Sequence, residues 1–289
     1  MIEFEESQAK ARILMEALPY VRRFRGSIFV VKYGGSFMDS PDPEIRAGVA
    51  KDLVFLNFVG IKVVVVHGGG KAITRELENR GIKAQFLDGL RVTDEQTIDA
   101  VDSVLNEQVN REVAQFVSSH DCDVARFPGK EVLLCEKLLG KHDLGYVGEV
   151  NKVLTDPIME ALENGKMPIL SSTASDQNGV CYNVNADNVA SKVAIALGAR
   201  RLVYLSDVPG LLKDTSDPNS LLSSLAVNEV EPLKNSGVIS SGMLPKVNSA
   251  VEALEAGVNR VHFIDGRMPH SILLEIFTDQ GIGTEIVHG

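Results

Sequence analysis

The sequence predicts an α/β protein, a three-layer αβα sandwich around a mainly parallel open sheet. Short apolar runs rich in β-branched residues, such as "SIFVVKYGG", "IKVVVVHGGG", "MPILSS", "RLVYLSD" and "RVHFIDG", close on glycine or small polar residues. Strands buried on both faces read this way. Stretches of helical periodicity lie between them, and the alternation of the two signals is that of parallel strands joined by helical crossovers.

Residues 6–20, "ESQAKARILMEALPY", place Ala9, Ile13, Ala17 and Tyr20 at helical spacing ahead of the first strand. This helix should stand outside the sheet, which makes 1–26 a segment of its own. "PEIRAGVAKDLVFLNFVG" is a helix with Pro43 as start signal and Gly60 as stop signal. "TDEQTIDAVDSVLNEQVNREVAQFVSSH" predicts one long helix opened by a Thr-Asp cap. Residues 124–150, broken at "PGK" and "HDLGYVGE", predict hairpins on the otherwise parallel sheet. "ADNVASKVAIALGA", "PKVNSAVEALEAG" and "MPHSILLEIFT" are helical, and 213–224 is a polar surface loop. Neither an internal repeat nor a low-complexity linker interrupts the chain, so any two lobes should share one sheet.

The 289 residues suffice for one large α/β domain or two modest lobes. Lys plus Arg number 29 and Asp plus Glu 39, a formal charge of −10. That balance excludes nucleic acid or an anionic membrane as a general partner, yet permits an anionic small molecule where a few cations converge. No apolar run approaches the roughly 18 residues of a membrane span, and the N-terminus is acidic without a secretory core. Cys122, Cys135 and Cys181 are odd in number and irregular in spacing, which suits the reduced cytoplasm. They lack the close pairing of a zinc site.

The segment "VVVVHGGGKAIT" (63–74) runs a strand into three glycines. An esterase reading needs a Gly-x-Ser-x-Gly nucleophile, which the chain lacks. A Walker loop needs a hydroxyl beside the lysine, but Ala72 and Ile73 separate Lys71 from Thr74. The dinucleotide fingerprint wants a small residue at Ile73. What survives is the physics of glycine amides at a helix start, which can meet an anion. "VVKYGGS" repeats the arrangement one strand earlier with Lys32 in the strand end, and a lysine is almost never buried without a partner. "NVNADNVAS" sets Asn183, Asn185 and Asp187 ahead of a helix, with Asp187 serving either as its cap or as a site residue. Lys246 follows Pro245 at a helix start, where the dipole disfavours a cation unless an anion compensates. Arg91 in "GLRVTD" suits a carboxylate, although a surface ion pair is the commoner fate of such a residue.

Taken in order, "VVKYGGS", "VVVVHGGGKAIT", "DGLRVTD", "GYVGEV", "YNVNADNVA", "LVYLSDVPGLL", "ISSGMLPKV" and "VHFIDGRMPH" resemble the amino acid kinase family. Within it, the resemblance is to the branch that phosphorylates N-acetyl-L-glutamate in arginine biosynthesis. It implies the amino acid kinase fold over 27–289, with the acceptor in a lobe of about 27–180 and ATP in a lobe of about 181–289. It implies that Lys32 and Lys246 flank the transferring phosphoryl group and that Asp187 orients them. Gly34, Gly35 and Gly69 would donate amides. Gly69, Gly70, Arg91 and Asn183 would hold N-acetyl-L-glutamate, Arg91 on its α-carboxylate. Ser206, Asp207, Val208, Gly210 and Leu211, with Gly34 and Gly35, would line the nucleotide site. The implied cofactor is ATP with Mg²⁺ carried by the nucleotide, without metal ligands from protein side chains.

The N-terminal helix and "LLEIFTDQGIGTEI" resemble the arginine-inhibited subgroup, which forms hexamers as trimers of dimers. Arginine would sit between that helix and the C-terminal lobe, with Glu275 on its guanidinium. The residues leave two other readings open: a sibling kinase for an aminoadipate-type carboxylate, and a non-catalytic arginine sensor.

Overall fold

A computed structural model of the chain describes residues 2–34, 43–239 and 242–289; Gly35, an expected amide donor, lies outside the described residues. Eight strands form the central sheet in the order Ser224–Ala226, Thr284–Val287, Arg260–Asp265, Arg201–Ser206, Ile28–Tyr33, Lys62–His67, Met167–Ser171, Val124–Phe127. From Arg260–Asp265 to Val124–Phe127 every pairing is parallel. Thr284–Val287 runs antiparallel to Arg260–Asp265, and Ser224–Ala226 follows its direction.

The β-branched runs explain why helices cover both faces. A strand turns successive side chains to opposite sides. Val30, Val64, Val66, Leu202 and Tyr204 therefore pack in one core, with the helices Ala186–Ala196 and Leu244–Glu255. Phe29, Val31, Val63, Val65 and Val203 pack in the other, with Pro43–Phe58 and the helical stretch from Glu95 to Ser118. Each fully buried valine stabilises the fold by roughly 1.5–3 kcal/mol, so a run such as Val63–Val66 holds the sheet from both sides. The three-layer sandwich expected from the alternation is the fold observed.

Local signals behave as their chemistry requires. Asp94 caps Glu95–Ser103 by accepting from Thr97 N at 2.8 Å. Gly60, at φ 91°, turns the chain after Pro43–Phe58 into the next strand. The first helix is longer than its periodicity suggests, Ile2–Phe24, and continues through Pro19. It exposes Ile13, Leu14 and Met15 while burying Phe24 against Phe29 at 5.4 Å. Among the described residues no helix is long and apolar enough to cross a membrane.

The 124–150 region corrects the expectation of hairpins on the main sheet. Val124–Phe127 is a parallel edge strand of that sheet. The hairpin Leu133–Lys137 with Gly148–Val153 belongs instead to a separate four-stranded sheet with Thr173–Ser175 and Cys181–Asn183. Its strands alternate buried and exposed residues, the pattern of a sheet covered on one face only. The long helix expected over 93–120 is interrupted at Val104–Val109 by a π-helical turn between Glu95–Ser103 and Asn110–Ser118.

Candidate active site

Lys32 lies between Val66 and Tyr204 of the neighbouring strands, at the C-terminal edge of the sheet. It shares strand parity with Val30 and so projects toward Ala186–Ala196 and Leu244–Glu255. At 8% exposure its ammonium requires a counter-charge. Asp187 supplies one: Oδ1 is 3.1 Å from Lys32 Nζ, and Oδ2 is 2.5 Å from Lys246 Nζ. Two lysines from distant parts of the chain thus share one carboxylate. Burial alone would raise the Asp187 pKa, but the two ammonium groups outweigh it and hold the carboxyl below its usual range. The trio carries a net positive charge beside the cavity that Lys32 and Asp187 line.

Asn185, and not Asp187, caps the helix Ala186–Ala196. Its side chain accepts from Asp187 N at 2.8 Å and Asn188 N at 3.3 Å. The Asp187 carboxylate, released from the capping role that the sequence also allowed, turns to the lysines. Tyr204 donates its hydroxyl to the Asp187 carbonyl at 3.1 Å and fixes the same turn from beneath. Lys246 occupies the first turn of Leu244–Glu255, after Pro245. Its conflict with the helix dipole is offset by Asp187.

The glycines leave room for this arrangement. A Cβ at Gly34 would fall 2.8 Å from Lys32 Nζ, so the lysine occupies space that any side chain there would claim. A Cβ at Gly69 would meet Leu105 Cδ2 at 2.7 Å and Val109 Cγ2 at 3.2 Å, both in the π turn. Gly69 precedes the helix Gly70–Asn79 without a side-chain cap, leaving first-turn amides available to a ligand.

Lys32, Gly34, Gly69, Gly70, Arg91, Asn183 and Asp187 line one cavity of about 240 Å³. Lys246 is tied to this group through Asp187. Arg91 is buried and held, not a surface ion pair. Its Nη2 donates to Gly70 O at 2.8 Å and Thr74 Oγ1 at 2.9 Å, and the guanidinium lies 4.7 Å from the Phe86 ring centre. Its Nη1 is buried without a hydrogen-bond partner, and burial lowers its pKa. A guanidinium stays charged all the same, so this orphaned donor calls for an anion in the cavity. Asn183 Nδ2 donates to Thr93 Oγ1 at 3.3 Å, which orients its amide in the cavity lining.

Ser206, Asp207, Val208, Gly210 and Leu211 sit at and beyond the end of the adjacent strand Arg201–Ser206 and do not line this cavity. Ser206 Oγ donates to Val208 O at 3.1 Å, and Leu211 N donates to Thr284 Oγ1 at 2.9 Å. Glu275 lines a different cavity of about 580 Å³ beside the N-terminal helix. Sequence reasoning missed the roles of Tyr204 and Phe86, for which the sequence carries only the signal of an aromatic in an apolar run or turn. Among the described residues no three His, Cys, Asp or Glu side chains group as a metal site. The ammonium groups of Lys32 and Lys246 are donors of a kind that fits phosphate oxygens.

A family model described as the amino acid kinase family matches residues 27–265. The chain belongs to the amino acid kinase family. The matched span holds Lys32, Arg91, Asp187 and Lys246 and begins after the helix Ile2–Phe24. Among curated amino acid kinase relatives, acetylglutamate kinase of Carboxydothermus hydrogenoformans is 44% identical over 291 residues, 97% of this chain and 98% of its own. Among solved structures, N-acetylglutamate synthase from Neisseria gonorrhoeae complexed with coenzyme A and N-acetyl-glutamate superposes with TM-score 0.85 at 26% identity. It covers 96% of this chain, which spans 63% of that longer one. The same synthase with coenzyme A and L-arginine gives TM-score 0.82 at 26% identity, over 96% of this chain and 65% of that one. Carbamate kinase from Giardia lamblia bound to AMP-PNP shares the fold, with TM-score 0.68 at 16% identity over 91% of this chain and 99% of that one.

Proposed function

We propose that the chain transfers the γ-phosphoryl group of ATP to the γ-carboxylate of N-acetyl-L-glutamate, giving an acyl phosphate. The observation that carries this is the single carboxylate of Asp187 shared by Lys32 and Lys246 beside a cavity with an orphaned, buried Arg91 donor. The 44% identity to an acetylglutamate kinase over nearly the whole of both chains supports the same acceptor.

A carboxylate is already a nucleophile at neutral pH, so the reaction needs no general base. Its obstacle is bringing one anion up to another. Arg91 and Asn183 hold the acceptor, with Arg91 Nη1 on the non-reacting carboxylate. Gly34, Gly69 and Gly70 bring amides to the reacting oxygen and the phosphoryl oxygens. Lys32 and Lys246 meet the charge that spreads over the phosphoryl group in flight, and Asp187 fixes both ammonium groups beforehand. Mg²⁺, bound with the nucleotide, supplies further neutralisation of the phosphates. Ser206 to Leu211, at the next strand end, serve the nucleotide, which divides the chain into an acceptor lobe of about 27–180 and an ATP lobe of about 181–289.

The larger cavity is the site for arginine. Its lining carries both signs of charge, with Glu275, Asp279 and Glu285 as acids and Arg23, Arg201 and Arg260 as bases, Arg260 already paired with Glu285, and a buried His262 Nε2 without a partner. A ligand that carries both a guanidinium and a carboxylate finds partners of both signs there. Glu275 already accepts from Ile282 N and Gly283 N and pairs with His262 at 2.8 Å, so it presents a fixed charge. The exposed Ile13, Leu14 and Met15 of the N-terminal helix are the contacts through which chains assemble into a hexamer. The three free thiols fit a cytoplasmic setting.

A coupled assay of ADP release with N-acetyl-L-glutamate, with and without L-arginine, tests the reading. Turnover that depends on the acceptor and falls with arginine is expected. Absence of acceptor-dependent ADP release refutes the kinase, and turnover indifferent to arginine refutes the effector site. Light scattering of the full chain checks the hexamer, and a monomer or dimer removes it.

A further inference from the structure

We infer that His67 is a positioning residue: as a neutral imidazole protonated on Nδ1, it holds the Gly68 carbonyl beneath the loop and thereby aims the Gly69 amide into the cavity. The inference rests on the kinase reading above for its role, and on geometry alone for its protonation.

The geometry is a chain of donors and acceptors with no freedom to reverse. It starts at Arg126, whose guanidinium can only donate. Arg126 Nε lies 2.8 Å from Asn110 Oδ1, which fixes the orientation of that amide. Asn110 Nδ2 then has two hydrogens to give. One goes to Ile169 O at 3.0 Å and the other to His67 Nε2 at 3.0 Å. His67 Nε2 must therefore accept, so it carries no proton. His67 Nδ1 faces Gly68 O at 2.9 Å, and a carbonyl oxygen only accepts, so the ring proton sits on Nδ1. The described chain contains no cis peptide bond. In a trans peptide the C=O and the following N–H point in opposite directions. With Gly68 O held below by a fully buried ring, the N–H of Gly69 is turned away from the ring, on the loop that lines the cavity.

The long helix cooperates through its π turn. Arg126 Nη2 donates to Asn106 O at 2.7 Å within that turn. Leu105 and Val109 of the same turn fill the space beside Gly69. Such insertions concentrate at functional sites. Here the turn brings Leu105 and Val109 onto the glycine while Asn110, at its end, reaches the histidine. His67 is a positioning residue because it acts on substrate only through the Gly68–Gly69 peptide.

Two substitutions separate the two ring nitrogens. His67→Asn keeps a donor near Nδ1, whereas His67→Gln keeps a polar group near Nε2 and loses that donor. The expected result is that His67→Gln lowers kcat about tenfold to a hundredfold with KM for N-acetyl-L-glutamate little changed, while His67→Asn restores kcat to near the unsubstituted value. Equal losses in both variants, or no loss in His67→Gln, overturn the role. The second measurement uses the unsubstituted protein with ¹⁵N-labelled histidine. The imidazole whose signals are missing from His67→Asn, or the one whose ring N–H exchanges most slowly with solvent if that variant does not fold, should show a protonated Nδ1 and a bare Nε2 at neutral pH. A protonated Nε2 overturns the inference whatever the kinetics. Failure of the unsubstituted chain to release ADP strikes the kinase reading and the role together, and the ring-nitrogen spectrum distinguishes that failure from an error in the geometry.

Discussion

Lys246 Nζ lies 2.5 Å from the same Asp187 carboxylate whose other oxygen pairs with Lys32. The acid is thus a template that spaces two cations. Asp187→Asn keeps the shape and removes the charge, leaving two ammonium groups to repel. kcat should fall about a hundredfold or more with a smaller change in acceptor KM. Breaking a buried pair of this kind also costs about 3–5 kcal/mol of stability, so the melting temperature should drop. Steady-state kinetics with a thermal melt read both, and an unchanged kcat refutes the assignment. Lys32→Ala and Lys246→Ala should likewise lower kcat far more than they weaken acceptor binding.

Arg91 predicts the opposite kinetic split. Its planar fork bonds Gly70 and Thr74 with one arm, stacks on Phe86, and leaves Nη1 buried without a partner. Arg91→Lys retains a charge but loses both the fork and the stacking. KM for N-acetyl-L-glutamate should rise about tenfold or more, with kcat within about threefold. A lowered kcat at unchanged KM would place Arg91 on the transferring group instead.

Neighbouring glycines should differ sharply. Gly69→Ala drives a Cβ into Leu105 and Val109, and overpacking of this kind costs about 1–3 kcal/mol. Gly70→Ala meets nothing within 4 Å and sits at the start of a helix, where alanine is the better helix former. Denaturant midpoints should fall for the first and hold for the second. Equal stability in the two variants would contradict the packing of the π turn against the loop.

Acid should destabilise the protein in two stages. His67 is pushed down to about 4 by burial, aided by the charge of Arg126 and opposed by its bond to Gly68. The unfolded chain takes up that proton below about pH 6.5 while the folded one does not. Stability is therefore lost as pH falls from about 6.5 to 4, by roughly 3 kcal/mol for this ring. Asp187, depressed by its lysines, adds a second loss at lower pH, below the ordinary carboxylate range. Urea midpoints from pH 7 to 4 should slope downward, and His67→Asn should remove the upper part of the slope. A slope unchanged in that variant contradicts the buried neutral ring.

The sequence made the strands legible because Val63–Val66 and Leu202–Leu205 leave no exposed face, and a run apolar at every position admits few alternatives. It made Lys32 legible for the converse reason: a cation inside such a run is out of place without a ligand or a partner. The identity of that partner was less accessible. Asn185 and Asp187 are both good capping residues two positions apart, and local preference cannot assign the cap to one of them. The tertiary approach of Lys246, 59 positions away, decides it. The π turn was invisible because Glu95–Ser118 keeps good helical periodicity throughout, and the extra residue is set by Asn106, Asn110 and Arg126 meeting the sheet. The last two strands at one end of the sheet, Ser224–Ala226 at its edge and Thr284–Val287 beside it, are too short to carry an alternation signal.

Strand Ile28–Tyr33 is hydrogen-bonded along both sides, to Arg201–Ser206 and Lys62–His67. The backbone that carries Lys32 is thus among the stiffest points of the molecule, flanked by three parallel strands on the Lys62 side and by four strands on the Arg201 side. Arg91, by contrast, rides on the two-stranded ribbon Phe86–Leu87 and Leu90–Arg91, braced by Phe86, Thr93 and the first turn of Gly70–Asn79. On the proposed reading, the two ends of the acceptor would therefore be gripped by parts of very different compliance. Changes in acceptor length would be absorbed at the ribbon, while the distance between the reacting oxygen and the lysine stays fixed by the sheet.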